Sequence, residues 1–164
     1  DGDIPWVKSG DLREGLITSV SEHISELAIQ KSSAKIVPKG ALLLAMYGAT
    51  VGRMAELGID AATNQAVCNI TPDPEKADSK YVYYALLNKV PEFLRNAVGG
   101  AQPNISQTYL KNKLFPLPPL EEQKAIVEKV NALMGLCDAL EQEVQQSQEH
   151  SEQLMQSVLR EVFN

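Results

Sequence analysis

Residues 116–130 read PLPPLEEQKAIVEKV, in which three prolines and an acidic pair run directly into an apolar helical repeat. Proline fixes φ and lacks a donor, so Pro116, Pro118 and Pro119 force an extended approach and then a start. Glu121 and Glu122 follow in the first turn, where negative charge suits the positive end of a helix dipole. The stretch predicts a rigid joint between a globular domain over 1–118 and a long helix over 119–164.

Toward the C-terminus the repeat continues with 4-3 spacing. Val130, Cys137, Val144, Ser151 and Val158 occupy position a of a heptad, and Ile126, Leu133, Leu140, Ser147, Leu154 and Glu161 occupy position d, with Gln and Glu on the outside. A lone helix packing on its own domain carries a wider apolar stripe than this seam. At 1.5 Å per residue, a helix from Glu121 to Phe163 is about 65 Å long, more than a domain of this size is wide, so most of it is expected to leave the globule. A partner helix is then implied, through Ile126, Val130, Leu133, Cys137, Leu140, Val144, Leu154 and Val158. Val at a with Leu at d favours two strands but does not fix their direction.

Toward the N-terminus the pattern is mixed. The stretches 4–12, 41–48, 50–57 and 65–72 read as strands bounded by Gly, Pro, Asn and Asp, with a turn at Pro38-Lys39-Gly40 and a tight connection at Gly48-Ala49-Thr50. Residues 79–98 read as a helix with Ser79 as N-cap, kinked or restarted at Pro91 and ended by Gly99-Gly100. Ser106 can cap one short further turn. The expected fold class is α+β, a mixed globular domain followed by one long coiled-coil helix.

The 164 residues are 44% hydrophobic and 22% charged, as in a globular protein with a core. No apolar run is long enough for a membrane span, Asp1-Gly2-Asp3 is unlike a signal peptide, and the chain does not begin with Met. The expectation is a cytoplasmic protein, cut from something longer. Cys68 and Cys137 lie far apart with no CxxC, and both read as reduced and buried. The net charge of −6 lies wholly in the helix, where nine acids face three bases from Leu120 onward; residues 1–119 are neutral. Within that neutral part, 31–55 holds Lys31, Lys35, Lys39 and Arg53 with no acid, and 93–119 holds Arg95, Lys111 and Lys113 with none. Chance clustering on a solvated surface is the bland account. A phosphate-facing surface is the sharper one, because local rather than net charge governs counterion release.

Catalytic chemistry is sought and not found. There is no GxxxxGK[ST] loop, no GxGxxG and no Asn-Pro-Pro-aromatic stretch. His23 and His150 lack a neighbouring nucleophile and read as surface residues. PDPEKADSK at 72–80 superficially suggests the acids and lysine of a metal-dependent nuclease, but its carboxylates are too close together to come from two strands, and a solvated loop explains them. No catalytic residue, metal or cofactor is expected. What remains suits reading rather than reacting. Gln102, Asn104, Ser106, Gln107 and Thr108 crowd a loop in a basic window, and amides can bond adenine from the major groove. Lys31 and Lys35 suit phosphates, and Ser32 or Ser33 either role. Asn64-Gln65 reads as a turn cap; Trp6 and Tyr47 read as core.

DIPWVKSGDL (3–12), VPKGALLLAMYGATVGRMAEL (37–57), TNQAV (63–67), GGAQPNISQTYLKNKLFPLPPLEEQKAIVEKV (99–130) and LMQSVLREVF (154–163) together frame nearly the whole chain. In these stretches it resembles the specificity subunit of type I restriction-modification systems, as one target-recognition domain followed by one conserved helical region. The resemblance implies a non-catalytic subunit that binds double-stranded DNA. A complete member carries two recognition domains, each reading half of a split target, with antiparallel helices as a ruler between them. Adenine methylation with S-adenosylmethionine belongs to partner modification subunits, and ATP-driven cleavage to a restriction subunit. This chain has one domain and one helix, so it is either a piece of a subunit or a half-sized subunit that pairs with itself as a homodimer. On this reading Lys31, Lys35, Arg53, Lys111 and Lys113 hold the DNA backbone. Gln102, Asn104 and Ser106, with the hairpin tip at Ala49-Thr50, contact bases. A coiled-coil adaptor that recruits a protein partner is the alternative reading, with a metal-dependent nuclease behind it.

Overall fold

Leu42, Leu43 and Leu44 form the centre of the strand β5 (Leu42–Ala45), and all three are fully buried. Successive side chains on a strand point to opposite faces, so a run of leucines with no polar alternation needs cover on both sides. The computed structural model, which describes residues 2–13, 15–97 and 103–163, supplies that cover with three layers. One four-stranded sheet has the order β2 (Leu16–Ile17), β6 (Met54–Leu57), β5, β8 (Val67–Ile70). The other has the order β3 (His23–Ile24), β1 (Ile4–Val7), β7 (Ala61–Thr63), β4 (Ile36–Val37).

Leu43 and Ala45 face a core shared with Val7, Val37, Ala55, Leu57 and Val67 from both sheets. Leu42 and Leu44 face the other way, into a core with Met54, Val82, Leu86 and Phe93 under the helix α2 (Ser79–Arg95). Each buried leucine contributes about 2 kcal/mol relative to exposure, so β5 anchors both cores. Its neighbours are antiparallel, with Leu43 opposite Ala55 of β6 and Asn69 of β8. Two other pairings are parallel and join distant parts of the chain: Trp6 with Ala62 (β1–β7) and Leu16 with Glu56 (β2–β6).

The β5–β6 hairpin needs its glycines. Gly48 and Gly52 have φ of +70° and +84°, in the left-handed region that disfavours other residues. A Cβ on Gly52 would also stand 2.8 Å from Val90 Cγ1 of α2, so the GATVG stretch lets the hairpin lie close against the helix.

Each of the four expected strands contains one observed strand, but 4–12 stops at Val7 and continues as a 3-10 turn at Ser9–Asp11. The strands β2, β3, β4 and β7 and the short helix α1 (Glu26–Gln30) were not expected. The cap of α2 is Asp78, whose carboxylate accepts from Tyr81 N (2.9 Å), while Ser79 donates to Gly40 O. Pro91 sits inside α2 without ending it. Ser106 caps the short helix α3 (Gln107–Lys111) as expected, accepting from Tyr109 N. The stop at Gly99-Gly100 lies outside the described residues.

The helix α4 runs unbroken over Leu120–Phe163, 44 residues and about 66 Å at 1.5 Å per residue. By its contacts the chain divides into two compact units between Lys124 and Ala125, so the first turn of α4 belongs with the sheets. Every residue from Asn131 to Phe163 is exposed, including Leu133, Leu140, Val144, Leu154 and Val158 of the seam. Both cysteines are free, but neither is buried as expected: Cys68 is partly covered and Cys137, on a helix without cover, is exposed. No helix among the described residues is long and apolar enough to cross a membrane.

Candidate nucleic-acid interface

The two acid-free windows are far apart in sequence and meet in space. A short segment, Pro103–Ile105, lies along the end of β5: Ile105 N donates to Met46 O (2.9 Å), Gly48 N donates to Pro103 O (2.9 Å), and Asn104 bridges to Tyr47. This pairing sets Asn104 beside the hairpin tip, where Ala49 and Thr50 form a 3-10 turn closed by Thr50 Oγ1 donating to Tyr47 O. Asn104 and Ser106 then border a small hollow of about 240 Å³ with Asn96 and Tyr109. Arg53 follows the tip at the mouth of β6 and is exposed.

The next residue, Gln107, reaches the rim of a second, larger hollow of about 350 Å³. The same hollow is lined by the loop after α1, with Ser32, Ser33 and Lys35, by Trp6 of β1 and by the β7–β8 turn with Asn64 and Gln65. Among the described residues no carboxylate lines it. Asn64 Oδ1 accepts from Ala66 N, which is the expected turn-capping role. Lys31 ends α1 on the same loop and is exposed. Trp6 is only partly buried and lines this hollow, and Tyr47 is exposed; both were expected in the core. Tyr47 lies past the end of β5 at Ala45, in an isolated bridge with Asn104.

The expected phosphate ligands are not equivalent. Lys111 is exposed near Cys68, whose thiol is pushed up by burial and held back by the lysine charge. Lys113 is committed elsewhere. Its ammonium donates to Glu92 (2.6 Å) and stands 4.1 Å from the centre of the Tyr109 ring, which itself packs edge-on against Phe93. Glu92 also accepts from Lys89 (3.1 Å), and Lys113 first and Lys89 second pull its carboxyl from an ordinary 4.5 down to about 2. The cluster ties α2 to the end of α3. Gln102 lies outside the described residues.

The shift fixes a pH dependence. The folded carboxylate holds its proton less readily than the unfolded one, so the stabilisation is complete above 4.5 and fades as pH falls through that value toward 2. Thermal melts across this window are expected to fall more steeply for wild type than for Glu92→Gln; parallel curves would remove the cluster from the account.

One functional residue escaped the sequence reading. Gln123, in the first turns of α4, is fully buried. Its Oε1 accepts from Asp78 N (2.8 Å), and its Nε2 donates to Lys76 O (2.9 Å) and Pro118 O (2.7 Å). Tyr81 Oη donates to Pro116 O (2.7 Å) nearby. Two side chains thus latch the proline joint to the start of α2. The signal was present: counting back by sevens from Val130 puts Gln123 at position a, an amide on the apolar stripe. The loop at 72–80 is occupied by local contacts, with Asp73 bonded to Lys76 and to Glu75 N, and Asp78 to Tyr81 N. Among the described residues no three side chains come together as a metal site.

The type I restriction modification DNA specificity domain matches residues 1–149. The specificity subunit of the type I restriction enzyme EcoR124I/EcoR124II from Escherichia coli is 27% identical over 145 residues, covering 85% of this chain and 36% of that protein. The MjaIX specificity subunit from Methanocaldococcus jannaschii is 36% identical over 130 residues, covering 76% of this chain and 30% of that protein. The chain therefore spans about a third of the length of these curated relatives. A solved structure from work on complex assembly and conformational transition of the type I R-M system aligns with TM-score 0.65 at 20% identity, over 85% of this chain and 33% of that one. The HsdS subunit from Thermoanaerobacter tengcongensis aligns with TM-score 0.63 at 21% identity, over 85% and 32%. These two likenesses show a shared fold.

Proposed function

The chain belongs to the type I restriction-modification DNA specificity family, and from that membership we propose that it recognises a sequence in double-stranded DNA without carrying out chemistry on it. The observation that carries this reading is the meeting of two acid-free segments around a polar hollow with no carboxylate. Exposed Lys35 lines the hollow, exposed Lys31 stands on the same loop, and exposed Lys111 and Arg53 are the further candidates for phosphate contact. Asn104, Ser106 and the tip at Ala49-Thr50 form the adjoining edge. Lys113 is set aside, because its charge is already met by Glu92.

The seam of α4 takes a partner helix, from a second copy of the chain or from the other half of a longer subunit. A self-paired chain carries two reading units related by a two-fold axis, so its preferred DNA is an interrupted palindrome. Modification subunits supply methylation, and a restriction subunit reaches the complex through them. Such a target places the protein in the cytoplasm.

Fluorescence anisotropy on duplex DNA over a range of salt tests this directly. Wild type is expected to bind with a steep negative slope of log affinity against log salt. Lys31→Glu with Lys35→Glu is expected to weaken binding on all sequences and flatten the slope by about 2, since each neutralised phosphate contributes about 0.9. Unchanged affinity and slope would reject the phosphate assignment, and magnesium-dependent cutting by the purified chain would reject the non-catalytic reading.

A further inference from the structure

The larger hollow separates amides that hold the fold together from amides that do not. Asn69 and Thr63 are locked to each other, with Nδ2 donating to Oγ1 at 2.9 Å. Asn64 is engaged by Ala66 N, and Ser32 Oγ accepts from Ala34 N. These side chains are scaffold. Gln65, at the tip of the β7–β8 turn, and Gln107, the first residue of α3, are exposed on the same hollow, and among the described residues neither side chain makes a hydrogen bond. Reading a base edge by two bonds requires an amide whose oxygen and nitrogen are both unspent. Asn64 and Asn69 fail that requirement, and the two glutamines meet it.

Their surroundings fit a base edge rather than another ligand. The lining carries one cation, Lys35, and no anion, so it attracts phosphate without repelling it. It has no histidine, cysteine or carboxylate to coordinate a metal or move a proton. The glutamines also come from separate elements, each braced independently: the turn by Asn64, and α3 by its Ser106 cap. Two braced amides at one open hollow are suited to neighbouring positions in a major groove.

We propose that Gln65 and Gln107 are specificity-determining residues of this unit, each reading an adenine through N6 and N7 in the major groove while Lys35 holds the flanking phosphate. The inference rests on the reading of the chain as a DNA-recognition element, and assigns base contact to a residue, Gln65, whose sequence context suggests only a turn.

The test is enrichment of bound duplexes from a pool with a randomised centre, using the full chain and its Gln65→Ala, Gln107→Ala and Gln65→Glu variants. Wild type is expected to enrich a motif with adenine at two or more positions. Each alanine variant is expected to lose about tenfold or more of the preference at one position, and to keep its affinity for random duplex and its salt slope. Gln65→Glu is expected to exchange adenine for cytosine at the position that Gln65→Ala relaxes, because a carboxylate accepts from cytosine N4. This change of base is a readout that a merely weakened fold does not produce. A wild-type motif that all three variants reproduce overturns the inference and leaves DNA recognition standing. So does a loss of affinity spread evenly over all positions, which marks phosphate contact instead. No enrichment and no binding by wild type overturns both together.

Discussion

Gln123→Ala is expected to lower the free energy of unfolding by about 2–4 kcal/mol, although it removes only one polar side chain. The side chain is fully buried and satisfies three backbone groups, Asp78 N–H and the carbonyls of Lys76 and Pro118. Alanine leaves all three partly buried groups without this partner, and opens a space as well. The loss is larger than the net value of the bonds, because unmet buried groups keep the whole cost of leaving water. Urea unfolding followed by the sheet signal measures it, with an unchanged m-value showing that stability alone moved. Gln123→Glu separates hydrogen bonding from size. A carboxylate can still accept from Asp78 N–H, but it turns an oxygen toward two carbonyls, so its pKa rises and the variant is expected to be weaker at neutral than at acid pH. A loss below about 1 kcal/mol for Gln123→Ala would mean that the prolines alone hold the joint.

Leu133→Asp with Leu140→Asp is expected to convert a pair of chains into single ones. Light scattering on wild type is expected to give twice 17.9 kDa, and on the variant 17.9 kDa. Both leucines are at least half exposed on a helix whose residues from Asn131 to Phe163 are all exposed, so the substitutions cost the isolated chain little. In a paired helix they place carboxylates in the seam, each several kcal/mol unfavourable without a counter-charge. The helical circular dichroism signal is expected to fall at the same time, because an uncovered helix of mostly polar residues is marginal in water. Wild type that stays at 17.9 kDa at high concentration would leave the seam to a different chain.

The parts of the fold legible in the sequence are those whose pattern exceeds chance. The apolar run at 41–48 shows a strand, Gly48-Ala49-Thr50 shows its tight return, and the heptads show α4. The strands β4 and β7 were invisible for a physical reason: two and three residues are too few for alternation, and Ala61-Ala62 carries little β preference of its own. β7 is a strand because it lies between β1 and β4 and pairs with both, and β4 is one because β7 supplies its partner. At the candidate interface, charge marked two acid-free windows that the fold brings together, but could not sort their members. Lys113 and Lys111 look alike in sequence, and only the fold brings Glu92 under one of them. Asn64 and Gln65 look like one turn, and only the fold shows that one amide is spent and the other is not.

The parallel pairings of Trp6 with Ala62 and Leu16 with Glu56 have a consequence for how this chain comes into being. On the ribosome, β1 and β2 emerge long before the strands that will flank them. The sheet of β1 cannot close until synthesis has passed Thr63, nor the sheet of β5 until it has passed Ile70, and the proline joint cannot be latched until Gln123 is out. Loop closure over such separations is slow, and the nascent N-terminal half waits with its apolar strands unsheltered. The long helix follows them out and, being marginal while its seam is uncovered, settles only when a partner helix meets it.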